Sequence, residues 1–289
     1  MSRVTSAIHG GTLNINGVSS GGLVLAEVKA GYDTVLTPTY DGLLFGLPDR
    51  MIQYVRGSIS SEDIESAINV LNGTLGTYTV YEKEWGLSTY TKHVITNPVI
   101  YALALNYVEA GLSTVQWLFE CKAADGDKTC KDMCVSTATQ EKPAYLGSDR
   151  ATRITGVKHG EVAINHVKEV TVNMAGLLLK DSSDGDIGYT AVSAERWGIT
   201  GSVRFLDAAV AESVQKNIDL LDDSVGDLEV TMLDFGGGGS AAHTIANVLF
   251  TEVSANKGGD GKIQEFTADF VVTDDTETPL TLSTAITIV

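Results

Sequence analysis

Two stretches of this sequence follow the same pattern, and that repetition constrains the fold more than any other feature. The first begins at Gly57 and reads GSISSEDIESAINVLN; the second begins at Gly201 and reads GSVRFLDAAVAESVQKNI. Each opens with a short strand-like run and then turns into a segment with apolar residues on one helical face. A repeat of this length predicts two copies of one structural unit.

Further matches keep the same order in both halves. Asp41-Gly42 corresponds to Asp184-Gly185, LGTYTVYE to VGDLEVTM, Asn97 to Asn247, and STVQWLFEC to GKIQEFTADF. The spacing drifts by only a few residues, as insertions in turns would produce. We therefore interpret the chain as an internal duplication, with a first domain at 1–122 and a second at 154–275. A length of 289 residues suits two domains.

Each copy has the pattern of a mainly β unit with one helix. Runs rich in Val, Ile, Thr and Tyr predict strands from Leu23 to Ala30 and from Gln53 to Ile59, and in the second copy from Val167 to Gly176 and from Trp197 to Phe205. A helix follows the second strand of each copy. The predicted fold class is therefore α+β, with two duplicated β-sandwich or barrel domains.

Both helices have cap candidates and an apolar stripe. Ser60 and Ser61 are the cap candidates of the first helix, and Asp207 is that of the second. The stripes, at helical spacing, are Ile64, Ala67, Ile68 and Leu71 in the first copy, and Val210, Val214, Ile218 and Leu221 in the second. Each helix is thus expected to cover one sheet.

Two segments fall outside the repeated units. The polar stretch 123–153 is predicted to be a linker or an excursion packed on a neighbouring element. The end of the chain, 276–289, alternates hydroxyl and aliphatic residues and is predicted to be an arm strand. It either adds to the sheet of another chain or joins a sheet of its own chain, and we favour the first alternative.

The residues offer no catalytic, cofactor or metal site. The histidines, which lack metal-binding spacing, are His9, His93, His159, His166 and His243. Cys121, Cys130 and Cys134 lack a fourth ligand and a C-x-x-C pair, so we expect thiols that are free or incidentally paired, of undetermined role. The glycine-rich run from Phe235 to Thr244 lacks the Gly-Lys-Ser/Thr ending of a phosphate loop. We expect a protein that is not an enzyme and needs no cofactor.

The charge and hydropathy of the chain limit its partners. The net charge is -17, with the larger acidic excess in the second half, and such a surface repels nucleic acid phosphates. No segment has the roughly 20 consecutive apolar residues of a membrane-spanning helix, so we expect no membrane insertion by this chain. The N-terminus lacks the apolar core of a signal peptide.

The repeated unit resembles the tail tube fold of long-tailed bacteriophages and related contractile injection systems. The features that carry the resemblance are GSISSEDIESAINVLNGTLGTYTVYE in the first copy, GSVRFLDAAVAESVQKN with DLEVTMLDF in the second, and the hairpin NVLFTEVSANKGGDGKIQEFTADFVV. It covers most of both halves and rests on pattern, not on an invariant motif. The polar stretch with its cysteines and the unequal charge of the halves depart from the family pattern.

In that family, single-domain subunits form hexameric rings that stack into a tube for DNA. The resemblance therefore implies that three copies of this two-domain chain form a pseudo-hexameric ring in a virion tail, assembled in the bacterial cytoplasm, with contacts to other tail proteins. Alternatives are a baseplate hub, a tail terminator or an adaptor ring. A DNA sliding clamp is a further alternative, but clamps line their hole with basic helices, and Lys216 is the only basic residue of the second helix segment.

Overall fold

The protein is mainly β, as predicted. The structure is a computed structural model. It describes residues 4–9, 12–15, 18–20, 23–35, 50–64, 76–82, 88–140, 152–183, 185–219, 225–234, 240–256, 264–273 and 286–288. Within these ranges the chain forms eighteen strands and two helices.

In the described residues the first half contains ten strands and one short helix, and the second contains eight strands and one helix. The first half contains β1 (Val4–His9), β2 (Thr12–Ile15), β3 (Val18–Ser20), β4 (Leu23–Val35), β5 (Arg50–Ser61), β6 (Thr77–Glu82), β7 (Tyr90–Thr96), β8 (Pro98–Val108), β9 (Thr114–Cys121), α1 (Cys130–Met133) and β10 (Cys134–Thr139). The second contains β11 (Thr152–His159), β12 (Val162–Ile164), β13 (Val167–Asp181), β14 (Ala191–Phe205), α2 (Ala208–Asp219), β15 (Gly226–Asp234), β16 (Ser240–Asn256), β17 (Glu265–Val272) and β18 (Ile286–Ile288).

Eight antiparallel strands form the middle of a 13-stranded sheet, in the order β4-β5-β9-β8-β13-β14-β17-β16. We call these eight strands the central sheet. Its first four strands come from the first half and its last four from the second. Along the sheet, β4, β5, β9 and β8 take the same order as β13, β14, β17 and β16, which follow the same sequence of chain positions in the second half. A second sheet, in the order β10-β7-β6-β2-β3, belongs to the first half, and β12, β11, β15 and the start of β16 take the corresponding order in the second.

The pairing of residues in the two halves also corresponds. Gly57 of β5 lies opposite Val28 and Phe119, and Gly201 of β14 lies opposite Val172 and Phe270. A Cβ atom at either glycine would overlap a carbonyl oxygen of the preceding strand and the ring of the opposing phenylalanine. Glycine is required at both places because backbone and ring approach the chain so closely.

The irregularities of the strands recur as well. The pairing of β8 with β9 shifts between Ile100 and Ala102, and that of β16 with β17 shifts between Phe250 and Glu252. β-bulges of this kind re-aim a strand, so a shared position indicates a shared strand path.

A pair of asparagines marks a second shared irregularity. Asn97 and Asn247 both have positive φ, 48° and 55°. Their carbonyl oxygens accept corresponding backbone bonds from Lys122 and Thr273, each at 2.9 Å. Asn tolerates the left-handed conformation better than most residues, which explains its presence at both bends.

The hydrophobic core lies on one face of the central sheet and runs through both halves. Alternate residues of the strands point into it, as the period of two requires. Its largest fully buried side chains include Trp117, Tyr107, Phe119, Phe205 and Phe270. Edge-to-face contacts join Tyr78 to Trp117 and to Phe119, with centroid distances of 6.3 and 5.7 Å. One continuous core therefore holds the two halves together.

The second predicted helix is present and starts where the sequence indicates. Asp207 Oδ1 accepts hydrogen bonds from the backbone N–H groups of Ala209, at 3.0 Å, and Val210, at 3.3 Å. Val210 and Val214 of the predicted stripe pack against the core. The predicted first helix lies outside the described residues beyond Ile64.

The segments outside the repeat have partners within the chain. In the polar stretch 123–153, α1 packs on β5 and β7, and β10 pairs with β7. In the end segment, Ile286–Ile288 pairs with His243–Ile245 of β16. For these three residues the structure corresponds to the alternative we did not favour, a strand in a sheet of the same chain; residues 274–285 lie outside the described part.

Candidate assembly interface

The face of the central sheet opposite the core is polar, and we call it the polar face. Strand alternation places hydroxyl, amide and charged side chains there. Its charged members are the acids Glu27, Asp33, Glu120, Glu169, Glu252, Glu265 and Asp269, and the bases Lys29, Arg56 and Arg204; the Lys180 ammonium group reaches this face through its contacts with Asp33 and Glu120. Acidic side chains outnumber basic ones, and the uncharged members include Ser, Thr, Asn and Gln as well as apolar residues such as Ala104, Leu118 and Val271.

The basic side chains of the polar face are engaged by neighbours. Lys29 lies 2.8 Å from Glu27, and Arg204 lies 3.0 Å from Glu169 and 3.8 Å from Glu265. The Arg56 guanidinium lies 4.2 Å from the centroid of the Tyr54 ring and donates to the Tyr54 hydroxyl at 3.1 Å. These contacts neutralise or occupy the cations that a phosphate would need.

The fourth base, Lys180, holds an ionic cluster at the junction of the halves. Its Nζ donates to Asp33 Oδ2 at 2.8 Å and to Glu120 Oε1 at 3.1 Å, and the Tyr189 hydroxyl donates to the same Asp33 oxygen at 2.8 Å. Glu120 is buried, and burial raises the pKa of its carboxyl group, which Lys180 offsets only in part. Burial would also raise the pKa of Asp33, but the bonds from Lys180 and Tyr189 outweigh it and lower that pKa.

The connection between β13 and β14 crosses onto the first half beside this cluster. Gln53 N donates to Ile187 O at 2.6 Å, and Ala123 N donates to Tyr189 O at 2.8 Å. Gln53 Oε1 in turn accepts from Cys130 N at 2.8 Å. A loop of the second half is therefore bound by backbone groups of the first, including the stretch that carries α1.

The halves meet along a full strand pair between β8 and β13. Seven residues of β8, from Ala102 to Val108, face Ala175 to Glu169 in antiparallel register. On the core side Leu103 and Leu105 are buried by this contact. The Tyr107 hydroxyl lies 2.9 Å from His243 Nδ1, which ties β8 to the outer strands of the second half.

The corresponding edge at the other end of the central sheet is uncovered in the described part of the chain. β15 pairs with β16 only up to Val248, and within the described residues no strand lies on that side of β16 from Leu249 to Asn256. The positions of β16 that match Leu103 and Leu105 are Val253, which is half-buried, and Ala255, which is exposed. A cleft of about 380 Å³ opens here, with Ala211 of α2 and Phe266 on its walls.

The opposite edge of the central sheet, β4, is paired with β1. Val4 to His9 face Ala30 to Leu25. The second half contributes an additional apolar surface, because Leu177 and Leu179 near the end of β13 are 50% and 42% exposed. Among its described residues the chain thus presents one uncovered strand edge, one edge held by a short strand, and exposed leucines.

Three of the described histidines are held by polar contacts within the chain. His243 is fully buried against Tyr107, and burial lowers its pKa to about 4. His93 Nδ1 lies 2.9 Å from Ser136 Oγ, and His159 Nε2 lies 2.9 Å from Val248 O. His166 occupies a turn with a φ of 56°. These contacts orient the rings of His93, His159 and His243 toward groups of the same chain.

The three cysteines are free thiols. Cys121 is buried, Cys130 and Cys134 are half-buried, and burial raises the pKa of Cys121 and of Cys134. In the described residues no group of three or more His, Cys, Asp or Glu side chains is arranged to hold a metal ion.

The sequence had not indicated the two strand edges, the cleft or the ionic cluster as functional. The alternation of LVLAEVKA and VLFTEV predicts strands but does not say which edge is covered.

None of the described helices has the length and apolar character needed to cross a membrane. No protein-family model matches the chain, and no curated protein matches it.

Proposed function

We propose that the chain is a structural subunit of a virion tail, in which three copies form a closed ring and rings stack into a tube through which DNA passes. The observation that carries the proposal is the central sheet, which continues from one half into the other and ends in an edge that no described strand covers. A unit that already pairs with its neighbour inside one chain has the geometry to pair with the next chain in the same way.

The matching of the two halves supports an internal duplication of a tail-tube-like domain. The glycine sites at Gly57 and Gly201, the bulges after Ile100 and Phe250, and the bends at Asn97 and Asn247 recur together. One duplicated domain pairs with its copy through β8 and β13. Repeating that operation with further chains gives a head-to-tail contact, and such contacts close into a ring when the rotation permits.

The number of copies follows from the family resemblance. If each half takes one of six positions in a ring, three chains complete it. The contact between chains would join β16 of one copy to β4 of the next, and it would cover the cleft beside Ala255 and Phe266. An uncovered strand edge in a folded chain invites such pairing.

The polar face suits the lumen of the ring. Its acidic excess repels phosphate, and its bases are engaged by Glu27, by Asp33 and Glu120, by Glu169, or by Tyr54. DNA in such a lumen would meet no free row of cations, so the electrostatic term that holds DNA on a protein would be missing.

The connections that follow the matching strands β13 and β4 differ in amino-acid composition. The loop from β13 to β14 is polar and binds to the ionic cluster on the first half. The connection from β4 to β5, residues 36–49, reads LTPTYDGLLFGLPD and lies outside the described part. Its sequence is rich in leucine, and the second half presents Leu177 and Leu179 on its surface.

The experiment compares Ala255→Asp with Ser254→Asp. Both residues are exposed in the single chain, but Ala255 lies on the core side of β16 and Ser254 on the polar face. Purified wild type should form rings of about three chains and stacked tubes, observed by native mass spectrometry and negative-stain microscopy. Ala255→Asp should remove rings and leave the chain folded, because a carboxylate would be buried in the contact.

Ser254→Asp is the matched control and should keep the rings. A wild type that stays monomeric at all concentrations, or rings that survive Ala255→Asp, would overturn the proposal. Rings that form but never stack, and a single ring per particle, would indicate a baseplate hub, tail terminator or adaptor ring. A ring that loads onto DNA and binds it would indicate a sliding clamp.

A further inference from the structure

Strand β1 takes the place on β4 that β8 takes on β13. Ala30 and Met174 are corresponding residues, since Val28 and Val172 lie opposite the matched glycines. Val4 faces Ala30, and Leu103 faces Met174. His9 faces Leu25, and Val108 faces the corresponding Glu169. Six residues of β1 therefore occupy the register of six residues of β8, in the same antiparallel direction.

The contact inside the chain predicts the register of the contact between chains. If β16 pairs with β4 of a neighbour as β8 pairs with β13, Val253 faces the neighbour's Ala30, Ser254 faces Lys29, and Ala255 faces Val28. Lys29 and Ser254 are both exposed on the polar face, and Val28 and Ala255 both lie on the core side. The faces of the two strands thus agree without any shift.

One strand edge cannot pair with two strands, so β1 and a neighbour's β16 exclude each other. We infer that β1 covers the β4 edge of the unassembled chain and must leave it before β16 of a second copy can bind. This inference rests on the proposed function, since it specifies how the ring contact forms. The strand acts as a cap that keeps the edge from pairing with unrelated strands.

The exchange favours the neighbour for a structural reason. β1 contributes six residues to the edge, whereas a second copy contributes β16 together with the apolar Phe266 and Ala211 of the cleft. The neighbour therefore buries apolar surface that β1 leaves exposed, and burial of apolar surface is the main gain in association. At low protein concentration β1 holds the edge, and at high concentration the second copy displaces it.

Two cysteine pairs test the inference. Thr5→Cys with Lys29→Cys joins β1 to β4 within a chain, and Ser254→Cys with Lys29→Cys joins two chains in the inferred register. Residues directly opposite in an antiparallel pair have Cα atoms about 4.5–5.5 Å apart, which permits a disulfide. The single variants Thr5→Cys, Ser254→Cys and Lys29→Cys are controls for the native thiols.

The intrachain pair should abolish rings when oxidised and restore them when reduced. The interchain pair, oxidised after assembly, should give a covalent species of three chains on a non-reducing gel. A third variant, Ser6→Pro with Ala7→Pro, weakens β1 whichever way its N–H groups point, because proline has none. It should shift ring formation to lower protein concentration than wild type.

The outcomes separate the two proposals. If wild type forms rings and the oxidised Thr5→Cys/Lys29→Cys chain forms them equally well, β1 is no cap and the inference fails while the ring proposal stands. If wild type and the proline variant both remain monomeric, the ring proposal itself fails. Rings without the three-chain cross-linked species would reject the register of β16 on β4.

Discussion

Strands β8 and β16 are the last of the four strands that each half contributes to the central sheet. The two sets of four strands have the same order, but the outer edges of β8 and β16 differ in what covers them. At the end of the first half, β13 covers β8, and Leu105 is 1% exposed. At the end of the second, β16 is uncovered beyond Val248 in the described residues, and Ala255 at the matching position is exposed. Strands at matching places in the two halves thus differ in their surroundings, since β8 is interior and the described end of β16 lies at the surface.

The largest expected effect on stability comes from shortening a buried side chain at the covered edge of β8. Leu105→Ala removes a fully buried side chain between the halves and should lower the free energy of unfolding by about 3–4 kcal/mol. Ala255→Gly, at the uncovered edge, should change monomer stability by less than about 1 kcal/mol. Urea unfolding of dilute monomer measures both. Similar losses at the two sites would show that the edge of β16 is already covered by its own chain.

The features shared by the two halves could be predicted from the sequence better than the contacts between the halves. Glycine, asparagine and strand patterns recur because each is required by local geometry, so the pairs Gly57 with Gly201 and Asn97 with Asn247 can be found by comparison. The second helix could be placed from Asp207 and its stripe. These features depend on residues close in sequence or on strict backbone requirements.

Contacts between distant segments could not be predicted. Lys180 of β13 binds Asp33 of β4 and Glu120 of β9. The end of β13 that corresponds to the Asp33 end of β4 carries leucines, so the cluster has no counterpart in the second half and no repeated pattern identifies it. The partner of Ile286–Ile288 is a strand of the same chain, whereas the alternation of the tail only indicates a strand. Pairing of edges depends on how the whole sheet is ordered, which local propensity does not determine.

The contact between Tyr107 and His243 gives the second prediction, which concerns the covered junction. Burial lowers the His243 pKa from 6.5 to about 4, so the folded chain favours the neutral ring and the unfolded chain binds the proton first. Stability is therefore full above about pH 6.5 and falls as the pH drops toward 4. A shift of this size corresponds to about 3 kcal/mol. Urea unfolding of monomer across that pH range measures the loss.

His243→Gln should flatten the fall between pH 6.5 and 4, because the titrating ring is gone. His93→Gln, at the corresponding place in the first half, is the matched variant and should leave the His243-dependent fall in place. An unchanged slope in His243→Gln would mean that other groups cause the acid sensitivity, and that the junction of the halves does not depend on a neutral His243.

The smallest of the three effects tests whether the halves are equivalent at all. Gly57→Ala and Gly201→Ala each force a Cβ against a carbonyl oxygen and a phenylalanine ring, so each should destabilise the chain by about 2 kcal/mol. Gly198→Ala is the control in the same strand as Gly201, since its Cβ would lie 4.0 Å from the Ala175 oxygen. It should be neutral or slightly stabilising.

Equal losses at Gly57 and Gly201 require the same packing in both halves. A large loss at one and none at the other would mean that the halves share a strand order but not a core, and the ring built on their equivalence would lose its basis.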